Sequence, residues 1–330
     1  MKSDKIKIGV VGVGHLGQHH AKHYSLLKNT DLVGICDTEP NRGKDIASQY
    51  HTKFYDKPSD LMKICDGISI VTPTESHYNV AKMAIEDFDC HVFIEKPITE
   101  TIKQADHLIE LSKTKNKIIQ VGHIERLNPA LRVLEQHNIN PKFIEIQRLA
   151  PYTVRGTDVP VVLDLMIHDI DILLSLVKSD VKSIHASGVS IITDSVDIAN
   201  ARIRFNNGTV SSITSSRVAR DKVRKIKIFQ ESLYTTVDLL MEQTEIYSIT
   251  KDPALIPDVL QTEPFTQNNK EKFIAYQKPE LKKYDLLKLE LKNFICSIKG
   301  KEKPIVNGIE ARNALDVVIK INNMILEDLK

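Results

Sequence analysis

The feature that most constrains this chain is a glycine pattern, Gly12-Val13-Gly14-His15-Leu16-Gly17, closing a short apolar run over residues 6–11 (IKIGVV). An apolar run ending at glycine predicts a buried strand. Asp37 closes a second such run (LVGIC, residues 32–36), 20 residues after Gly17. A strand, a GxGxxG turn, a helix and an acid at that distance together predict a dinucleotide-binding unit. Gly12 permits the tight turn. Gly14 lets backbone approach a pyrophosphate at the helix N-terminus, where open N–H groups and the helix dipole favour an anion. Gly17 allows close helix–strand packing, and His15 and Leu16 sit in the same turn. Asp37 would accept both ribose hydroxyls and repel a 2′-phosphate, which favours NAD; the nearby Arg42 leaves NADP open.

Further apolar runs at 67–71, 90–94 and 118–121 alternate with helical-length segments at 18–28, 42–50, 77–87 and 102–115. That alternation predicts a doubly wound parallel sheet. Tryptophan is absent and aromatics are 5% of the chain, so the core rests on Ile, Leu and Val, which suits buried parallel strands. In such a fold ligands gather beyond the carboxyl ends of the strands. Thr72, Pro73, Thr74 and His77 follow the third strand, and Glu95-Lys96-Pro97 follows the fourth. The Lys96 ammonium could bond a substrate oxygen, although the same tripeptide also serves as an ordinary surface turn. His19 and His23 are four apart and could face a metal, but no third ligand is spaced to join them. No metal is expected, and the histidines are expected to pack near the cofactor loop.

From about residue 141 the pattern changes. Residues 143–149, 181–191, 198–205, 209–218, 225–231, 234–240 and 245–249 read as strands, several alternating in polarity as in Ala201-Arg202-Ile203-Arg204-Phe205. Asn206-Asn207-Gly208 marks a hairpin. A large, open, mostly antiparallel sheet with one helical layer, including residues 165–177, is predicted. Residues 257–283 are polar and contain prolines, which predicts a long loop or a partner-contacting arm. Leu287, Leu291 and Phe294 or Ile295 form the apolar stripe of a helix over 284–298. The expected fold class is α/β: a Rossmann domain at 1–122 and an α+β domain at 123–330, with the last helix able to pack back on the first. An open sheet face predicts a homo-oligomer.

A chain of 330 residues accommodates two domains. Lys plus Arg is 45 against 43 for Asp plus Glu, a net +2, which argues against a nucleic-acid or anionic-membrane footprint. No apolar run approaches the ~18 residues of a membrane span. The charged start, running straight into a strand, argues against a secretory signal. Cys36, Cys65, Cys90 and Cys296 lack CxxC spacing, which argues against disulfides and zinc and fits a reducing cytoplasm.

Asp164 and His168 are four apart at a predicted helix start and so share one face. An imidazole titrates near neutral pH, as a reversible proton acceptor must. Asp164 would orient it or hold a substrate hydroxyl. The alternative is a helix-start aspartate beside a half-buried histidine.

Taken together, the Gly12 turn, Asp37, Thr72-Pro73, Glu95-Lys96-Pro97, Asp164 with His168, and Val306-Asn307-Gly308 before a closing helix resemble the glucose-fructose oxidoreductase / inositol dehydrogenase / MocA (Gfo/Idh/MocA) family over essentially the whole chain. Two stretches, 121–130 (VGHIERLNPA) and 158–171, are similar to those of its bacterial UDP-N-acetylglucosamine 3-dehydrogenases, with Leu127 where phenylalanine is expected. The resemblance implies NAD-dependent oxidation of a sugar 3-hydroxyl for a partner aminotransferase in lipid A synthesis, and a homodimer or homotetramer. It implies His168 as proton acceptor and Lys96 as donor to the developing alkoxide, with the reverse assignment open. It places His123 and Asn128 at the site. A nucleotide sugar needs cations for two phosphates, for which Arg126, Arg155 and Arg148 are candidates, and Tyr152 could stack on uracil. A free polyol or sugar is the competing substrate, and a non-catalytic NAD-dependent sensor the remaining alternative.

Overall fold

A computed structural model describes residues 5–153 and 159–330. The chain opens with β1 (Ile6–Val11), α1 (Gly17–Leu26), β2 (Thr30–Cys36), α2 (Pro40–Gln49), β3 (Phe54–Tyr55) and α3 (Pro58–Met62). It continues with β4 (Gly67–Ile70), α4 (Thr74–Glu86), β5 (His91–Glu95), α5 (Ile102–Thr114), β6 (Ile119–Gly122), α6 (Pro129–Arg132) and β7 (Phe143–Leu149). A π-helical turn (Val162–Met166) runs into α7 (Ile167–Val177), followed by β8 (Val181–Val189), β9 (Ile198–Phe205), β10 (Val210–Ser216), β11 (Val223–Gln230) and β12 (Leu233–Asp238). The last elements are β13 (Gln243–Thr250), β14 (Val259–Gln267), β15 (Lys270–Gln277), α8 (Leu286–Ile298) and α9 (Gly308–Asp328).

The elements form two compact units, one of Met1–Ile124 with Asp285–Leu315 and one of Glu125–Tyr284 with Asp316–Lys330. In the first, six parallel strands run in the order β3-β2-β1-β4-β5-β6. The core holds Ile8, Val10, Ile35 and Phe93 from the strands and Ala21 and Tyr24 from α1, all fully buried. β3 adds a strand to the five expected; its two residues make no apolar run for a sequence pattern to register.

The predicted division at 122/123 differs from this in one segment. Asp285–Leu315 returns to the first unit, because the predicted stripe of α8, Leu291, Phe294 and Ile295, enters the core against Phe93. Val121 donates to the Val306 carbonyl, and Arg312 of α9 pairs with Asp106 of α5.

The second unit is a nine-stranded sheet, β14-β15-β13-β12-β11-β7-β10-β9-β8, antiparallel except for the parallel pair β7–β10. The alternation along β9, with Ala199, Ala201, Ile203 and Phe205 inward, is as predicted. Residues 257–283 do not form a loop. They hold the hairpin β14–β15 at the sheet edge, turned by Asn268 and Asn269 at φ 53° and 56°. Two left-handed central residues make the tight turn that twisted strands prefer. Pro264 and the exposed, polar run of β14 hid the strand, and an edge position is where a strand tolerates proline.

Candidate active site

The glycine turn has the predicted geometry. Gly12 lies at φ +87°, and a Cβ there would stand 2.6 Å from the Val71 carbonyl oxygen. A Cβ on Gly17 would stand 1.8 Å from the Gly12 carbonyl oxygen, so α1 packs against the turn as only glycine allows. A Cβ on Gly14 would meet nothing within 4 Å. No side chain caps α1 and no acid occupies its first turn, which leaves N-terminal N–H groups open to an anion. His15 and Leu16 are exposed at this entrance. Asp37 is buried at the end of β2, where Oδ2 accepts from the Val13 N–H (2.7 Å) and Oδ1 from the Glu39 N–H (2.8 Å). The Arg42 guanidinium pairs with Oδ1 at 2.5 Å. Burial works to raise the Asp37 pKa; the bonds from Arg42, Glu39 and Val13 outweigh it and hold the carboxyl below its ordinary value. The open ground before Gly14 and the ionised Asp37 suit the pyrophosphate and ribose of NAD.

Thr72 and Pro73 follow β4, and Thr74 begins α4. His77 is not free to line the cofactor as expected. It is buried, with Nδ1 2.8 Å from the Pro97 carbonyl oxygen and Nε2 2.9 Å from that of Thr72, so the one N–H of the neutral ring donates to backbone and both nitrogens face it. Lys96 is half-buried just after β5, and its backbone N–H donates to Glu95 Oε2 at 3.3 Å. Glu95 turns inward instead of lining an open pocket: His20 Nε2 lies 3.1 Å from its Oε1. His123 follows β6 and is buried.

In the second unit, Asp164 stands in the π-helical turn and His168 in the first turn of α7; both are half-buried. A π turn widens the helix by one residue and is common at functional sites. The described segment before it is tied down: Arg217 donates to the Val159 carbonyl, and Val161 donates to the Val196 carbonyl. Asp197, itself fully buried, accepts from the N–H groups of Ile191, Ile192 and Thr193.

Two of the three arginines expected to hold phosphates are spent internally. Arg126 forms a two-pronged pair with Asp171 of α7 at 2.6 and 3.0 Å. Arg148, on β7 and buried, clasps Asp169 of α7 at 2.8–3.0 Å and reaches Glu125 at 3.1 Å. Burial opposes the Arg148 charge, and the carboxylates of Asp169 and Glu125 overcome it, raising its pKa above the ordinary value. Arg224 also pairs with Glu125. Asn128 is a cap rather than a substrate contact: Oδ1 accepts from Ala130 N–H, and Nδ2 donates to the Leu239 carbonyl. Tyr152 is exposed, and Arg155 lies outside the described residues. The acids Asp169 and Asp171 were visible as charges on an apolar helix, a pattern that requires buried partners. His20 and Ser69 carried no comparable signal.

Among the described residues no group of three His, Cys, Asp or Glu is placed to hold a metal, and no helix is long and apolar enough to cross a membrane.

Residues 6–123 match an oxidoreductase family with an NAD-binding Rossmann fold, and residues 148–232 match the C-terminal domain of the same Gfo/Idh/MocA group. The chain is 32% identical over 317 residues, 96% of each protein, to a UDP-N-acetylglucosamine 3-dehydrogenase of Acidithiobacillus ferrooxidans. A solved structure of that organism's UDP-N-acetylglucosamine 3-dehydrogenase superposes with a TM-score of 0.88 over 99% of both chains at 31% identity. A myo-inositol 2-dehydrogenase of Thermotoga maritima is 24% identical, over 94% of this chain and 93% of its own.

Proposed function

The chain belongs to the Gfo/Idh/MocA oxidoreductase family, and from that premise we propose that it oxidises the 3-hydroxyl of UDP-N-acetylglucosamine to the 3-keto sugar nucleotide. The observation that carries this reading is the 32% identity with a UDP-N-acetylglucosamine 3-dehydrogenase, sustained over 96% of both chains. The cofactor would be held by the glycine turn, Asp37 and the loop at Thr72-Pro73-Thr74. Bound NAD supplies the acceptor for the electron pair and the carbon-bound hydrogen. The chain's own residues handle the hydroxyl. A ring nitrogen of His168 accepts the hydroxyl proton, and Asp164, four residues earlier, orients that imidazole. The Lys96 ammonium donates a hydrogen bond to the oxygen as negative charge develops on it. His123 completes the lining. Of the three arginines named for the diphosphate, Arg155 is the candidate that remains, with Tyr152 beside the base.

The internal pairing of Arg126 and Arg148 favours a second reading, oxidation of a neutral polyol or free sugar, because such a substrate needs no cation cluster. The deciding experiment follows NADH formation from NAD with UDP-N-acetylglucosamine, an aminotransferase being added to remove the ketone. Turnover of the nucleotide sugar supports the first reading. Turnover of inositol or glucose alone replaces it with the second. In the first reading the ketone passes to an aminotransferase that makes a diamino sugar for lipid A, in the cytoplasm.

A second copy of the chain is the partner proposed for the open sheet. Phe143, Phe229, Tyr234, Tyr247 and Tyr276 pair ring to ring across five neighbouring strands, with centroids 4.8–5.9 Å apart. Below this row Lys227 pairs with Glu145, so the face carries apolar area with balanced charge. Light scattering that gives a monomer rejects the assignment.

A further inference from the structure

Two buried histidines hold the residues on either side of Lys96, and the reaction proposed above uses neither. His20, on α1, is fully buried and packs edge-on against Phe93. Its Nδ1 lies 2.9 Å from Ser69 Oγ of β4, and its Nε2 3.1 Å from Glu95 Oε1. The other oxygen of Glu95 accepts the Lys96 backbone N–H. Across the sheet, Gly122 of β6 makes room for this carboxylate: a Cβ there would stand 2.8 Å from both Glu95 oxygens. Burial works to raise the Glu95 pKa, and His20, with Lys96 nearby, brings it below its ordinary value, so the carboxylate is an anion fixed at both oxygens. On the far side of Lys96, the buried His77 has Nδ1 2.8 Å from the Pro97 carbonyl oxygen and Nε2 2.9 Å from that of Thr72; with its proton on Nδ1 it donates to Pro97.

We infer that His20 and His77 are positioning residues for Lys96, His20 acting through the Glu95 carboxylate and His77 through the Pro97 carbonyl. A lysine side chain has four rotatable bonds and gives up much rotamer freedom when fixed. Its reach is then decided by where its Cα stands, and here the backbone on both sides of that Cα is pinned by a side chain with no freedom of its own. The clamp also joins separate elements. His20 follows the glycine turn, His77 opens the helix after β4, and both converge on the turn after β5. A change at any of the three loops therefore reaches Lys96. Misplacing a reacting group by about 1 Å costs on the order of 100-fold in rate, which sets the scale of the expected effect.

The inference rests on the reading of Lys96 as the donor to the substrate oxygen, and the experiment separates the two. His20→Asn, His77→Asn and Glu95→Gln are compared with the parent and with Lys96→Ala. Turnover is followed with NAD and UDP-N-acetylglucosamine, NADH affinity by fluorescence, and folding by thermal unfolding. Lysines are 13C-dimethylated, and the Lys96 signal is assigned by its absence from Lys96→Ala. The expected result is a kcat lowered about 10- to 100-fold, with KM and NADH affinity at parental values and the Lys96 signal displaced in all three variants. Glu95→Gln keeps the shape of the side chain and decides the matter should a histidine variant fail to fold. Parental kcat with an unmoved Lys96 signal overturns the inference. Parental turnover by Lys96→Ala overturns the catalytic reading instead, and the clamp is then judged by the lysine signal alone.

Discussion

Replacing Arg148 with methionine separates a structural cation from a substrate-binding one. Arg148 is 3% exposed, and Asp169, which accepts three hydrogen bonds from it, is 1% exposed. Methionine keeps an unbranched apolar stem but leaves Asp169 buried without its clasp, while Glu125 keeps Arg224 and Asn128. Breaking a buried pair by removing one partner costs ~3–5 kcal/mol, most of it the stranded charge. At ~2–4 °C per kcal/mol for a unit of this size, the melting temperature should fall by ~6–20 °C. Circular dichroism during thermal and urea unfolding measures the loss. Adding Asp169→Ala to Arg148→Met should recover most of it, because the charge that was stranded is gone. A single variant that melts with the parent, and instead raises KM for the nucleotide sugar, refutes the reasoning and returns Arg148 to the phosphates.

Three further outcomes are expected. Gly14→Ala should melt with the parent, since its Cβ meets no protein atom, yet bind NADH at least about tenfold more weakly by fluorescence, because it fills the ground before the helix N-terminus; Gly17→Ala should lose fold and binding together, its Cβ standing 1.8 Å from the Gly12 oxygen. Asp37→Ser should raise KM for NAD and lower it for NADP, by releasing Arg42 toward a 2′-phosphate, and unchanged cofactor preference would count against the role of Asp37. Burial lowers the pKa of His77, His91, His23 and His137. The unfolded chain, with histidines near about 6.5, then binds protons that the folded chain does not. Stability is therefore fully present above about pH 6.5 and lost as pH falls, so the melting temperature should rise from about pH 5 to about pH 7 and then level off. A melting temperature that fell over that interval would reverse the sign.

Local patterns carried most of the fold. Gly12, Gly14, Gly17 and Asp37 were legible because a left-handed turn, a close helix approach and an acid at a strand end each demand one residue type. The alternation in β9 and the Asn206-Asn207-Gly208 turn identified the open sheet in the same way. What sequence left hidden was non-local. Whether Arg126 and Arg148 face solvent or Asp171 and Asp169 depends on a pairing 45 and 21 residues apart. The partners of His77 and His20 are set by loops that meet only when the sheet closes. The hairpin β14–β15 escaped because an edge strand needs no apolar run, although Asn268-Asn269 carried a turn signal like the one read at Asn206-Asn207. The return of α8 to the first unit escaped because an amphipathic stripe says that a helix is buried, not against what; the last helix, expected as able to pack back, belongs to that unit as far as Leu315.

The π-helical turn at Val162–Met166 has a genetic consequence. It is one residue more than an α-helix would spend on the same stretch. Each residue of an α-helix advances the chain by about 100°. Deleting Leu165 or Met166 would let the stretch relax into ordinary helix and swing Asp164 and the chain before it by about that angle relative to His168. The bearing of the two side chains is thus recorded as a count of residues, and a single-codon deletion that spares both would still undo it, while most substitutions in the same stretch would not.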